Sequence, residues 1–239
     1  YYEQEHASVR IVDTHTNIVQ IEKNWQVIFE DKTTSLELKA DHSALIMKQI
    51  WDFSQTVDID DVKEILDRQI TCNMAIANEG IHNSYGANIG HVILNMDSDC
   101  VKTRAKAYAA AGSDARMNGC ELPVVINSGS GNQGITCCVP VVVYAKELDC
   151  TQEQLYRALV LSNLTAIYIK TGIGTLSAFC GAVSAGAAAG AGIAYLHNGT
   201  YKEIQHTIVN ALAILSGTIC DGAKASCAAK IASSVDAGI

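Results

Sequence analysis

Apolar and polar residues alternate from residue 7 to 30, and Val, Ile and Thr are frequent there. A period of two with β-branched side chains predicts strands, and Asn24 falls between two such runs, so the segment reads as a strand pair. From Leu38 the period lengthens to that of helices. Residues 44–55 predict one helix and 60–79 another, the second with Asp58 or Asp60 as N-cap and Gly80 as its stop. Residues 81–95 begin as loop and end in a helix, and the alanine-rich stretch 100–112 predicts a helix closing at Gly112. Residues 122–126 and 137–144 are short apolar runs. A further helix is expected over 152–165, with Thr151 as its cap. Residues 171–196 carry no charge, but Ala, Gly and Ser bring little transfer energy into lipid. Small side chains instead let a helix over 175–195 pack closely in the centre of a core. Residues 201–215 have the pattern of an amphipathic helix. The expected fold class is α+β, mostly α-helical, with a small N-terminal β portion: residues 1–38 end a β-containing domain and 39–239 form a helical domain.

Between the two apolar runs lies NSGSGNQGI, residues 127–135, with three glycines and little bulk. Glycine allows tight turns and brings backbone N–H groups up to a ligand. Ser128, Ser130, Asn132 and Gln133 add hydroxyl and amide groups, which suits a small anion such as a carboxylate. An ordinary turn between buried segments is the competing reading. No lysine follows Gly134, so this is not a phosphate loop, and the dinucleotide spacing is absent. Upstream, Asp114 and Arg116 precede the segment. Arg116 either forks onto a substrate carboxylate or bridges two helix ends.

Composition narrows the partners. A net charge of −8 speaks against nucleic acid and anionic membranes. Nine cysteines without a signal peptide point to a reducing, cytoplasmic setting, where thiols are free, metal-bound or catalytic. Cys72, Cys100, Cys137, Cys138 and Cys150 stand in apolar or helical surroundings and read as core or incidental. Cys180 and Cys220 are each followed closely by glycine, where the backbone can fold against a bound group. Neither makes a CxxC pair, so from spacing alone there is only a Gly-rich, Cys-bearing pocket with an anion-binding loop. The start on Tyr1 and the end at Ile239 suggest a piece of a longer polypeptide.

HTNI (15–18), SDARMNGC (113–120), INSGSGNQGI (126–135) and ICDGAKASCAAKI (219–231) resemble, in order, the iron–sulfur L-cysteine desulfidases and their serine dehydratase alpha-chain-like relatives. The resemblance implies a four-iron, four-sulfur cluster held by three cysteines with one iron open, and Cys180 and Cys220 match two of them. It places the third ligand in an N-terminal Cys-Thr-Glu-Pro motif that this sequence lacks. Cys227 could substitute, or be structural. The helical portion expected after Ile231 is also missing, so residues 39–239 would be an incomplete catalytic domain, inactive alone. The implied reaction is β-elimination from L-cysteine or L-serine without pyridoxal phosphate, an open iron acting as Lewis acid. His15, Asn17, Arg116 and residues 128–133, including Gly129 and Gly131, are expected to bind the small amino-acid substrate. Lys170, Lys224 and His15 are candidates for the base. The alternatives are a non-catalytic amino-acid binding protein without a cluster and a pyridoxal-phosphate enzyme using Lys170 or Lys224. A homo-oligomer is compatible with all of these.

Overall fold

The computed structural model describes residues 5–12, 17–31, 41–174, 177–220 and 222–239. Three antiparallel strands, β1 (Ala7–Ile11), β2 (Ile18–Lys23) and β3 (Gln26–Glu30), form a sheet in chain order, one strand more than the alternation predicts. Asn24 and Trp25 join β2 to β3 with φ of 49° and 66°, the left-handed pair of a two-residue hairpin turn. Val9, Ile21 and Phe29 stand in register across the sheet, and Val9 and Phe29 remain exposed.

The helices are α1 (Met47–Thr56), α2 (Ile59–His82), α3 (Ile89–Met96), α4 (Val101–Met117), α5 (Gly131–Glu147), α6 (Gln152–Ile173), α7 (Gly181–Leu196), α8 (Tyr201–Ile214) and α9 (Cys227–Gly238). The molecule is therefore mostly helical α+β with a small N-terminal sheet. Among the described residues, no helix is long and apolar enough to cross a membrane. Local chemistry sets several starts. Asp58 accepts from the Asp60 N–H at the head of α2, and Thr151 with Gln154 closes a reciprocal capping box on α6.

Two glycines that read as helix stops lie inside helices. Gly80 sits in α2 and Gly112 in α4, where the two helices touch: a Cβ on Gly80 would collide with the Ala111 carbonyl, and one on Gly112 would lie 3.3 Å from the Ala77 Cα. Close approach, not termination, is what these positions need. Helix α5 begins inside the glycine segment and absorbs the apolar run 137–144, carrying Pro140 in its interior. Helix α7 starts at Gly181, later than the uncharged run suggests.

Contacts between small residues fix the directions of the central helices. Gln133 lies against Gly181 and Val141 against Gly192, so α5 and α7 run parallel. Gly186 meets Ser234 and Gly190 meets Gly238, so α7 and α9 are parallel too. Helices α4 and α6 run the other way: Gly112 meets Ile135 while Arg116 meets Gly131, and Gly192 meets Ala158 while Ala185 and Ala188 share a buried cluster with Ala166. The N-termini of α5, α7 and α9 thus face one end of the bundle, together with the C-termini of α4 and α6. Each helix N-terminus carries unsatisfied N–H groups and about half a positive charge.

Candidate active site

At that end of the bundle, residues 127–130 form a two-residue turn. The Asn127 and Ser130 backbones exchange hydrogen bonds of 3.1 and 3.0 Å, and Ser128 and Gly129 take φ of 48° and 79°. The loop is shorter than the glycine content suggests, since Gly131, Asn132 and Gln133 already belong to α5. Ser130 is its N-cap, the hydroxyl accepting from the Gln133 N–H at 3.4 Å. Among the described residues, no acceptor takes the N–H of Gly131 or Asn132. Arg116 lies along this first turn and donates to Asn132 Oδ1 at 3.3 Å. It joins the end of α4 to the start of α5 while keeping its guanidinium beside the free N–H groups.

A frame of carboxamides holds the turn. Asn73 makes two hydrogen bonds with the Val125 backbone, 2.9 and 3.2 Å, as a strand neighbour would. Gln69 and Asn163 bond each other twice at 2.8 Å, and Asn127 donates to Asn163 at 3.0 Å. Sequence reasoning missed this frame. Its signal is two carboxamides, Gln69 and Asn73, one helical turn apart on a face that is otherwise apolar.

The thiols stand nearby, since Gln133 lies against Gly181 next to Cys180. Phe179 and Ile219 form an isolated antiparallel bridge, with Cys180 N–H donating to Thr218 at 3.2 Å and Cys220 N–H to Ala178 at 2.6 Å. Alternation along a strand sends the exposed Phe179 and Ile219 to one face and both cysteines to the other. Cys180 is the N-cap of α7 and buried; Cys220 is exposed. Cys227 is the first residue of α9, a helix that sequence reasoning did not foresee, and accepts from the Lys224 N–H at 3.5 Å. One turn on, Lys230 Nζ donates to the Ile219 carbonyl at 3.3 Å, tying the start of α9 to the bridge beside Cys220. Lys170, in the last turn of α6, stands within the field of Cys180 and Cys220. Burial holds its ammonium below the ordinary 10.5, and Cys220 and Cys180 only partly oppose the shift.

Among the described residues, no three His, Cys, Asp or Glu side chains are grouped closely enough to hold a metal ion. Burial pushes the Cys137 thiol up to about 12 and that of Cys138 also well up, which keeps both protonated inside the core. Cys72 and Cys150 are half-buried. Cys100 is exposed at the head of α4, incidental instead of core, and a hydrogen bond from Thr103 lowers its pKa. Asp114 does not pair with Arg116; it accepts from the Ile89 N–H at 2.7 Å and so caps α3. His15 lies outside the described residues. Asn17 stands before β2, its carbonyl accepting from Val12 N–H at 3.1 Å, and no described hydrogen bond joins it to the turn.

The serine dehydratase alpha chain family matches residues 5–239. A UPF0597 protein of Desulfitobacterium hafniense is 57% identical over 241 residues, covering all of this chain and 56% of its own length. A UPF0597 protein of Lachnoclostridium phytofermentans is 56% identical, covering 97% and 56%, and one of Finegoldia magna is 52% identical, covering 98% and 56%. The chain spans about half the length of these curated relatives. No solved structure matches it.

Proposed function

The chain belongs to the serine dehydratase alpha chain family, and from that premise we propose that it is part of an iron–sulfur-dependent lyase acting on a small L-amino acid. The reaction is β-elimination from L-cysteine, L-serine or both, giving pyruvate and ammonia, with hydrogen sulfide when cysteine is the substrate. The observation that carries this reading is the meeting, at one end of the bundle, of three helix N-termini with Cys180, Cys220 and Cys227 and the 127–130 turn.

The donor set fits a four-iron, four-sulfur cluster. Thiolates are the usual ligands of such clusters, and a multi-iron cluster takes thiols standing further apart than a single ion does. Cys180 and Cys220 share a face of the bridge, and Cys227 heads the helix parallel to the one that Cys180 caps. These three residues would hold it. When bound, the cluster supplies an open Lewis-acidic iron for the departing sulfur or oxygen of the substrate. The chain's own residues bind and orient. The N–H groups of Gly131 and Asn132, at the positive end of α5, receive the substrate carboxylate, with the Arg116 guanidinium alongside. Lys170 places a cation beside Cys180 and Cys220 and offsets their negative charge as thiolates.

Anaerobic reconstitution of the full-length protein with iron and sulfide tests this, followed by pyruvate and sulfide assays on L-cysteine and L-serine. Cluster absorbance and turnover should appear together and be lost in Cys180→Ala, Cys220→Ala and Cys227→Ala. A full-length protein that takes up no cluster and forms no pyruvate overturns the proposal. Activity surviving Cys227→Ala alone returns the third ligand to another part of the polypeptide.

A further inference from the structure

The carboxamide frame has a direction, and that direction reaches the surface at Ser128. A backbone carbonyl can only accept, so the Asn163 side chain turns its Nδ2 toward the Leu159 carbonyl, 2.8 Å away. Its Oδ1 therefore faces Asn127. Asn127 answers with its own Nδ2, which donates to Asn163 Oδ1 at 3.0 Å and to the Asn163 carbonyl at 3.2 Å. That leaves Asn127 Oδ1 facing Ser128 Oγ at 2.9 Å. The one hydrogen available to that contact is the serine's own. Ser128 thus spends its proton inward and offers only lone pairs outward.

Ser130, two residues on, has the opposite polarity. Its oxygen accepts from the Gln133 N–H, so its proton is free to donate outward. Both serines are partly accessible. A second observation stands next to the turn: Gln133, whose N–H is held by Ser130, is 5% exposed and lies between the first turns of α5 and α7 with an Oε1 that meets no donor. A buried amide oxygen without a partner is costly unless a ligand or its own rotation supplies one.

We infer that the turn reads an α-amino acid as a zwitterion, with Ser128 accepting from the ammonium group and Ser130 donating to the carboxylate. This rests on the reading of the turn as the substrate site and adds to it a requirement for the amino group. It also reverses the role of Ser128, which the loop's composition suggests is a carboxylate donor.

The test compares L-alanine with propanoate, which lacks the amino group, by calorimetric titration of the reconstituted full-length protein. Because Ser128 sits at positive φ, Ser128→Gly removes the hydroxyl without straining the turn. In Ser128→Gly, L-alanine should bind about tenfold more weakly or worse, the scale of a hydrogen bond to a charged group, while propanoate is unchanged. Ser130→Ala should weaken both ligands alike. Propanoate binding that falls in Ser128→Gly as far as L-alanine binding makes Ser128 a carboxylate donor and overturns the inference, leaving the site reading standing. Unchanged binding of both ligands also overturns it. Wild-type protein that binds neither ligand removes the site reading as well.

Discussion

At the scale of single residues, the site is built from backbone contacts that permit little change. A Cβ on Gly134 would enter the Val125 carbonyl, whereas one on Gly129 would meet nothing within 4 Å and suffer only from its positive φ. Gly134→Ala should therefore cost about 3 kcal/mol by overpacking and Gly129→Ala about 1–2 kcal/mol by strain, a difference that urea unfolding resolves. Asp114 gives a pH signature. Its burial raises the carboxyl above the ordinary 3.8, with the N–H groups at the head of α3 opposing the shift. An acid raised by folding binds its proton more tightly in the native state. Its contribution is therefore fully present below the unfolded value and lost as pH rises through the folded one. Asp114→Asn cannot ionise and keeps an acceptor for Ile89. The wild-type stability minus that of the variant should fall between about pH 4 and pH 7, in unfolding curves taken at both values. A difference that grows with pH would contradict the burial argument.

At the scale of elements, the sequence was legible where periodicity and capping agree. Asp58 heads α2 and Thr151 heads α6 as their side-chain chemistry predicts. The alternating N-terminal segment does form strands, although the stretch of sequence between β1 and β2 holds no Gly or Pro to announce a break. The glycine errors share one cause. Gly80, Gly112, Gly131 and Gly181 look alike in sequence, and only the neighbouring helix decides whether a glycine ends a helix, opens one or lets two touch. Helix α9 was missed because its cysteine and small residues read as a ligand motif instead of a packing surface. Of the candidate site, residues 128–133, Arg116, Lys170, Cys180, Cys220 and Cys227 could be named from the chain, but the carboxamide frame could not, because Gln69, Asn127 and Asn163 are distant in sequence. The same distinction predicts paired outcomes. Gly190→Ala, whose Cβ would strike the Gly238 carbonyl, should lose about 3 kcal/mol. Gly172→Ala, in α6 with open space around it, should gain about 0.5–1 kcal/mol. Thermal melts of the two variants should move in opposite directions.

Across the whole molecule, burial is unevenly distributed. Nearly all of α7 and the first two-thirds of α5 are buried, while β1 and β3 are exposed along their length. Amide hydrogen exchange should follow this division, with α5 and α7 exchanging only through global unfolding and the strands exchanging through smaller openings, orders of magnitude faster. Equal protection in sheet and bundle would mean that something covers the strands. The net charge is −8, yet the end of the bundle that gathers the cysteines also gathers Arg116, Lys170, Lys230 and three helix N-termini. An anionic ligand there meets these cations and donors locally, although the protein as a whole is acidic, and its affinity should weaken as salt is added. The seam between α7 and α9 bears on the same end. Helices separated by large side chains have slack, because rotamer changes let the gap breathe. Gly186 against Ser234 and Gly190 against Gly238 leave no such slack, so the helix starts that carry Cys180 and Cys227 are held at a nearly fixed separation.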